Sequence, residues 1–306
     1  MKALTSTASG GLELGEVPDP SPASDEVLVA LTATSLNRGE VRHLAEAEPG
    51  TVVGWDVVGT VSEPARDGSG PGQGTRVVGI VDGGAWAERV AVPSHALAEI
   101  PASVTDAAAS VLPIAGLTAW RALELGGLLL NARVLVTGAS GGVGRLAVQL
   151  ASFAGAEVTA VVGRPERRSG LVKLGASDVV VGIENAAGPY DLVLESVGGQ
   201  SMRVASEVLA SEGVLVTFGR SSGEDAALDP WWFGRHSGAR IEGLLVFTEV
   251  ARRRLGTAQL ERLLALLASG RLDPQVTRTG SWRDPMPLVQ ALLDREVDGK
   301  AVLLVD

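Results

Sequence analysis

The run Val134-Leu135-Val136-Thr137-Gly138-Ala139-Ser140-Gly141-Gly142-Val143-Gly144 constrains this chain more than any other segment. A short apolar strand ends in glycines at 138, 141 and 144, and a helical pattern starts at once, with Val143, Leu146, Ala147, Leu150, Ala151 and Ala154 on one face. Glycine answers a separate need at each position: a tight turn out of the strand, a bare backbone that lets a pyrophosphate approach, and close packing of helix on strand. The start of the helix then offers unpaired N–H groups and a positive dipole end to phosphate. With another apolar strand following at 158–162, the segment reads as a dinucleotide-binding β-α-β unit.

The end of that second strand selects the nucleotide. NAD sites place an acid there to hold the ribose hydroxyl, whereas this chain has Gly163-Arg164-Pro165-Glu166-Arg167-Arg168. Arg164, helped by Arg167, Arg168 or Lys173, suits a 2′-phosphate, so NADPH is the expected cofactor. The same residues also spell Gly138-x-Ser140-x-Gly142, the nucleophile elbow of an α/β-hydrolase, with His236 as the formal triad histidine. The third glycine, the arginines at the second strand end and the position of His236 in a Trp-rich stretch oppose that alternative. A non-catalytic NADPH-binding protein is the other reading outside the enzyme class proposed below.

Around this unit the chain changes texture. The first hundred residues carry β-branched runs at 27–34 and 75–81, with Val52-Val53 and Val57-Val58 flanking a Gly-Trp-Asp segment and Gly/Pro turns at 18–22 and 67–74, and predict a barrel-like β unit. From 131 onward strands and helices alternate: strands at 134–137, 158–162, 178–181, 191–195, 214–218 and 241–247, with helices at 142–154, 165–175 and 202–209. Continuous apolar strands alternating with helices specify a parallel sheet covered on both faces. Helices at 259–268 and 285–293 and a strand at 301–305 follow; a lone strand needs a sheet, so the tail is expected to rejoin the first unit. The expected domains are 1–112 with 248–306, and 113–247.

Composition excludes several functions. Lys+Arg 26 against Asp+Glu 36 leaves a net charge of −10, which repels a nucleic-acid backbone. With no cysteine, disulfides and thiolate metal sites are impossible, and His43, His95 and His236 are too scattered to form a metal cluster. No apolar run approaches the ~20 residues needed to span a bilayer, and the N-terminus lacks the apolar core of a signal peptide. The expectation is a soluble, cytoplasmic protein.

Read in order, further fragments carry a resemblance. Ser35-Leu36-Asn37, Gly54-Trp55-Asp56-Val57-Val58-Gly59-Thr60-Val61, Gly84-Ala85-Trp86-Ala87-Glu88-Arg89-Val90, Leu112-Pro113-Ile114-Ala115-Gly116-Leu117-Thr118-Ala119-Trp120, the glycine motif and Gly299-Lys300-Ala301-Val302 resemble the zinc-independent quinone oxidoreductase branch of the medium-chain dehydrogenase/reductase superfamily. The resemblance covers nearly the whole chain. It implies an α/β protein with a GroES-like β-rich domain, a Rossmann doubly wound parallel-sheet domain, and NADPH in the cleft between them. The superfamily's zinc enzymes need cysteine and histidine ligands, which this chain cannot supply. Hydride transfer without a Lewis acid suits a quinone or another conjugated carbonyl, because conjugation spreads the developing charge onto oxygen. An enoyl-type reductase of a specialised, polyketide-like metabolite is the alternative within the class.

By the same resemblance, Asn37 and Thr118 lie near the nicotinamide, Ser140, Gly141, Gly142, Val143 and Gly144 at the pyrophosphate, and Arg164 with Arg168 at the 2′-phosphate. Phe218, Gly219 and Phe247 line the nicotinamide ribose and amide. Lys300 is either a cofactor contact or a surface lysine. The one tyrosine, Tyr190, has no lysine four residues on, so the reduced acceptor takes its proton from solvent, Arg38 or His43. Asn37, Arg38 and His43 are therefore the candidates for the chemical step, and Asp56 reads as a carboxylate holding a turn. The aromatic cluster Asp229-Pro230-Trp231-Trp232-Phe233 either lines the pocket, packs in the core or forms a subunit contact. The strand after 240 would be an exposed edge, so a homodimer paired through it is expected.

Overall fold

The computed structural model describes residues 1–229 and 231–306; Pro230, one member of the aromatic cluster, lies outside the described residues. The β-branched runs of the first hundred residues are strands: β1 (Lys2–Ser6) and β2 (Leu12–Glu16) form a hairpin, then come β3 (Glu26–Ser35), helix α1 (Arg38–His43), β4 (Asp56–Glu63), β5 (Arg76–Ile80), β6 (Arg89–Pro93) and β7 (Leu97–Glu99). Helix α2 (Asp106–Ala109), capped by the Thr105 side chain, leads into a π-turn at Leu112–Gly116 and then α3 (Leu117–Leu125).

The alternating region builds the second unit, Thr118–Leu245. Its elements are β8 (Arg133–Val136), α4 (Gly142–Phe153), β9 (Glu157–Val162), β10 (Asp178–Val181), β11 (Tyr190–Glu195), α5 (Gly199–Glu207), β12 (Leu209–Thr217), α6 (Trp232–Arg235) and β13 (Arg240–Gly243). The strands lie in the order β10-β9-β8-β11-β12-β13 with every described pairing parallel. That is the doubly wound order, and the central strands are buried, with Val134, Leu135, Val193, Leu194 and Leu215 fully inside.

After β13 the chain rejoins the first unit, which comprises Met1–Leu117 and Val246–Asp306. Helices α7 (Val246–Arg253) and α8 (Gly256–Ala268) precede β14 (Val276–Ser281), α9 (Met286–Leu293) and β15 (Lys300–Leu304). The sheet runs β14-β15-β3-β4-β5-β7, with β6 also paired to β3. Register matters here: Val302 pairs with Ser35, which sets Lys300 at the end of β15 beside the segment leaving β3.

Two local expectations are corrected. The strand expected over 241–247 stops at Gly243, and the apolar run Leu244-Leu245-Val246-Phe247 turns into α7. Glu249 pairs with Arg252 and Arg253 at helical spacing, and these ion pairs favour the helix from beyond the ambiguous apolar stretch. Phe247 is consequently a helical residue of the first unit. The helix expected over 165–175 is a 3-10 turn at Pro165–Arg168 followed by irregular turns. Gly170 and Gly175 have positive φ, and a helix cannot pass through either.

Candidate active site

On the second unit, the glycine turn has the shape its sequence demands. Gly138 adopts a φ of +58°, and a Cβ there would meet Ser196 Oγ at 2.6 Å. A Cβ on Gly144 would lie 2.5 Å from the Gly138 carbonyl oxygen and 2.6 Å from Ala139 Cα, so helix α4 rests directly on the turn. Gly141 is the N-cap, in extended geometry, and no side chain caps the helix. The first-turn N–H groups are thus left for an external acceptor, which fits a pyrophosphate.

Arg145, which sequence reasoning missed, reinforces this turn. It is buried, its Nε donates to the Ser140 carbonyl at 3.2 Å, and its Nη2 donates to Ser169 O at 3.0 Å. A guanidinium ties the phosphate turn to the loop after β9 and adds positive charge beneath it. Arg164 and Arg168 are exposed at the end of β9, beyond Gly163, where a Cβ would meet open space. Phe218 is half-buried and Gly219 exposed just past β12, while Thr118 is buried in α3.

The hydrolase triad is not assembled. His236 Nδ1 lies 2.7 Å from the Leu209 carbonyl and its ring stacks on Trp232 at 5.2 Å. No hydrogen bond joins it to Ser140 among the described residues. Glu195, the buried acid at the end of β11, already accepts from Thr137, Val197 and Gly198. Trp232 donates to Ser206 O and packs on the core, whereas Trp231 is 70% exposed beside Phe233.

On the first unit, four residues from three separate stretches of sequence converge. Lys300, Asp56, Glu40 and Asn37 are all buried. Lys300 Nζ donates to Asn37 Oδ1 at 2.6 Å and to Leu36 O at 2.9 Å, and lies 3.8 Å from Asp56 Oδ2. Asn37 Nδ2 donates to Asp56 Oδ2 at 2.7 Å, the Ser35 hydroxyl donates to the same oxygen, and the Ile114 N–H donates to Oδ1 at 2.8 Å. Every described partner of Asp56 is a donor, the pattern a carboxylate requires. Asp56 therefore does hold a turn, and it holds Asn37 as well.

Glu40 behaves differently. Its Oε2 accepts from the Asn37 N–H at 2.7 Å, completing a capping box at the start of α1, but its Oε1 is buried without a partner. Burial first, and the Asp56 charge second, push its carboxyl well above the usual range. Burial also raises Asp56, against the opposing pull of Lys300 and the donors around it, and burial lowers Lys300 against the pull of both acids. Burial and the neighbouring Asp56 charge thus favour the neutral form of Glu40, beside the Lys300–Asp56 pair at 3.8 Å.

The other expected residues of this unit sit apart from that cluster. Arg38 Nη1 donates to Leu292 O at 3.0 Å at the end of α9, and His43 is exposed in the last turn of α1. The Phe247 ring meets Trp55 edge-on, with centroids 5.1 Å apart, and helps line a cavity of about 430 Å³ with Ile80, Val81, Pro93, His95 and Val250. Glu40 and Ser35 were missed as members of the site. The spacing Asn37-x-x-Glu40 is the signal that could have found Glu40, as an N-cap paired with its N3 acid. Among the described residues no group of three or more His, Asp or Glu could hold a metal.

A β-rich unit completed by the C-terminal segment, joined to a doubly wound parallel sheet that opens on a glycine turn, defines the architecture of the two-domain dehydrogenases. Residues 142–261 match the zinc-binding dehydrogenase family, and residues 23–102 match the alcohol dehydrogenase GroES-like domain. A chloroplast envelope quinone oxidoreductase homolog of Arabidopsis thaliana is 35% identical over 233 residues, covering 68% of this chain and 70% of its own. The spectinabilin polyketide synthase system protein NorB of Streptomyces orinoci is 31% identical over 293 residues, 92% of this chain but 13% of NorB. A mycobacterial protein solved in complex with NADPH superposes with a TM-score of 0.88 at 25% identity, covering 99% of this chain and 100% of that one. This chain belongs to the medium-chain dehydrogenase/reductase superfamily, in its quinone-oxidoreductase-like branch.

Proposed function

We propose that this protein is a zinc-independent oxidoreductase that transfers hydride from NADPH to a quinone or another conjugated carbonyl. The observation that carries the reading is the uncapped glycine turn at the start of α4, built on Gly138, Gly141 and Gly144. Bound NADPH supplies the hydride. Ser140, Gly141, Gly142 and Val143 hold its pyrophosphate through backbone N–H groups, and Arg164 with Arg168 faces the 2′-phosphate. Asn37 and Phe247 on the first unit, and Thr118, Phe218 and Gly219 on the second, are the residues assigned to the nicotinamide end, and a mycobacterial relative solved in complex with NADPH supports NADPH as the cofactor.

The proton for the reduced oxygen comes from solvent in this reading, because Arg38 is engaged with α9 and His43 stands in water. The reading includes a cytoplasmic setting, and the net charge of −10 leaves no role for nucleic acid. It also includes a homodimer: β13 is an edge strand of the parallel sheet, and Leu245 just beyond it is 60% exposed.

A second reading, reduction of an enoyl group in a polyketide-type metabolite, is favoured by the match to NorB across 92% of this chain. NADPH oxidation, with NADH as control, against naphthoquinones, cyclic enones and enoyl thioesters tests both. Turnover with NADPH alone on quinones supports the first reading, and enoyl reduction outrunning quinone reduction supports the second. An enzyme that binds neither nucleotide refutes both.

A further inference from the structure

Lys300 is 263 residues from Asn37 in sequence, yet the two side chains meet at 2.6 Å in an interior where Lys300 is 3% exposed. An ammonium has three protons and no acceptor. Here two of them go to Leu36 O and Asn37 Oδ1, and the Asp56 carboxylate lies 3.8 Å from the nitrogen as its ion-pair partner. Its described partners all belong to this buried cluster. Asp56 in turn can only accept, so the Asn37 carboxamide, lying between a pure donor and a pure acceptor, has one permitted orientation: oxygen to Lys300, nitrogen to Asp56.

Asp56 extends the arrangement. Through Ser35 and Asn37 it holds the segment leaving β3, and through Ile114 N–H it holds the π-turn that ends one residue before Leu117. A buried ion pair is a poor way to gain stability, since apolar residues of the same volume commonly serve as well. What an ion pair supplies, and apolar side chains cannot, is a fixed direction for the amide between its charges.

We propose that Lys300 is a positioning residue: paired with Asp56, it fixes the orientation of the Asn37 carboxamide and acts on hydride transfer through Asn37, without touching the cofactor. The proposal rests on the oxidoreductase reading, with Asn37 at the nicotinamide end. It departs from a direct cofactor contact by Lys300, and the two differ in what they predict for kinetics.

The test is a double-mutant cycle on the full chain, with NADPH and a naphthoquinone. Lys300→Met is expected to lower kcat on the order of 100-fold, the scale of a misplaced reacting group, while KM for NADPH stays within about twofold. Asn37→Ala is expected to lower kcat comparably, and Lys300→Met is expected to add nothing in that background. A raised KM for NADPH at unchanged kcat, or effects that multiply, overturns the proposal. Because Lys300→Met strands the Asp56 charge, the neutral pair Asp56→Asn with Lys300→Met is made alongside, and it too should be slow although folded.

A second readout needs no turnover. The chain's asparagines are Asn37, Asn131 and Asn185, so isotope labelling of asparagine alone resolves their side-chain amides by NMR. The Asn37 amide protons should exchange slowly in the wild type and fast in the neutral-pair variant, where Asp56→Asn adds a fourth amide signal identified by comparison with the single Asp56→Asn variant, with Asn131 and Asn185 unmoved. An unchanged Asn37 signal in the folded variant overturns the positioning claim. Wild-type protein that transfers no hydride to any acceptor refutes the oxidoreductase reading instead, and leaves positioning to be decided by the spectrum.

Discussion

Alanine substitutions at Gly141 and Gly144 separate two demands that the glycine turn meets three residues apart. At Gly144 the new methyl would stand 2.5 Å from Gly138 O, with Ala139 Cα at 2.6 Å and Ala139 C at 2.9 Å. Carbon contacts settle near 3.5–4.0 Å, so strand end and helix must part by about 1 Å. The obstacle is backbone, which cannot rotate away, and overpacking of this kind costs about 3 kcal/mol. For a chain of this size that lowers Tm by about 6–12 °C. At Gly141 the nearest atom is Gly138 O at 3.4 Å, an ordinary contact, and its φ of −80° and ψ of 175° suit alanine. Gly141→Ala should therefore change stability by no more than about 0.5 kcal/mol. Its methyl stands where the pyrophosphate approaches, and losing one charge-assisted hydrogen bond at about 1.5–3 kcal/mol weakens NADPH on the order of 10- to 100-fold. Thermal denaturation without ligand and NADPH titration by nucleotide fluorescence measure the two effects independently. Gly141→Ala binding NADPH as tightly as the wild type, or losing as much stability as Gly144→Ala, would refute the assignment of phosphate to this turn.

Three other substitutions follow from the same geometry. Arg164→Gln should cut the preference for NADPH over NADH on the order of 10-fold while leaving NADH turnover in place, as read from kcat/KM for the two nucleotides; an unchanged ratio removes Arg164 from the 2′-phosphate. Glu40→Gln should alter the pH dependence of stability. The folded protein keeps Glu40 protonated above 4.5 while the unfolded chain releases that proton, so wild-type stability falls as pH rises through the window between the two values. Glutamine lacks this loss, and denaturant titrations between about pH 5 and pH 8 should show the variant gaining on the wild type by up to about 1.4 kcal/mol per pH unit inside the window. A difference that stays flat with pH would mean Glu40 is ionised in the native protein. Ser140→Ala should leave NADPH-dependent turnover within about tenfold of the wild type, because Ser140 contributes backbone to the turn. Ester hydrolysis present in the wild type and abolished by this change would restore the hydrolase.

Legibility in the sequence followed the range of the interaction. Strands β8 and β9, helix α4 and the glycine turn between them were readable because their causes lie within a few residues: apolar spacing, glycine sterics and a helix start. The run 241–247 misled because a short apolar stretch has no period of its own; Glu249, Arg252 and Arg253, just past it, tip it into α7. The helix expected at 165–175 failed at Gly170 and Gly175, whose left-handed backbone outweighs the favourable Pro165. Within the site, Asn37 and Lys300 drew notice as fragments of a resemblance, while Glu40 was missed and Asp56 read as a local turn carboxylate. Only the Asn37-x-x-Glu40 spacing hints at a partner; nothing in sequence joins Lys300 or Asp56 to that pair.

Composition and local pattern were enough, by themselves, to set several properties of this chain. Having no cysteine rules out thiolate metal chemistry, the glycine turn specifies a phosphate-accepting helix start, and strand–helix alternation specifies a parallel sheet. These depend on residue identity and on neighbours a few positions away, where backbone sterics and side-chain periodicity act. The tertiary structure alone decided the burial and orientation of the first unit's cluster. Lys300, arriving on β15, meets Asn37 and Asp56, which flank the β3–β4 connection, because β15 pairs with β3 and β3 with β4 in one sheet. Burial then removes the water that would otherwise solvate each charge separately. A Glu40 carboxyl pushed up by burial, an Asp56 paired with Lys300 and a single amide orientation for Asn37 follow from that packing, which no stretch of sequence carries on its own.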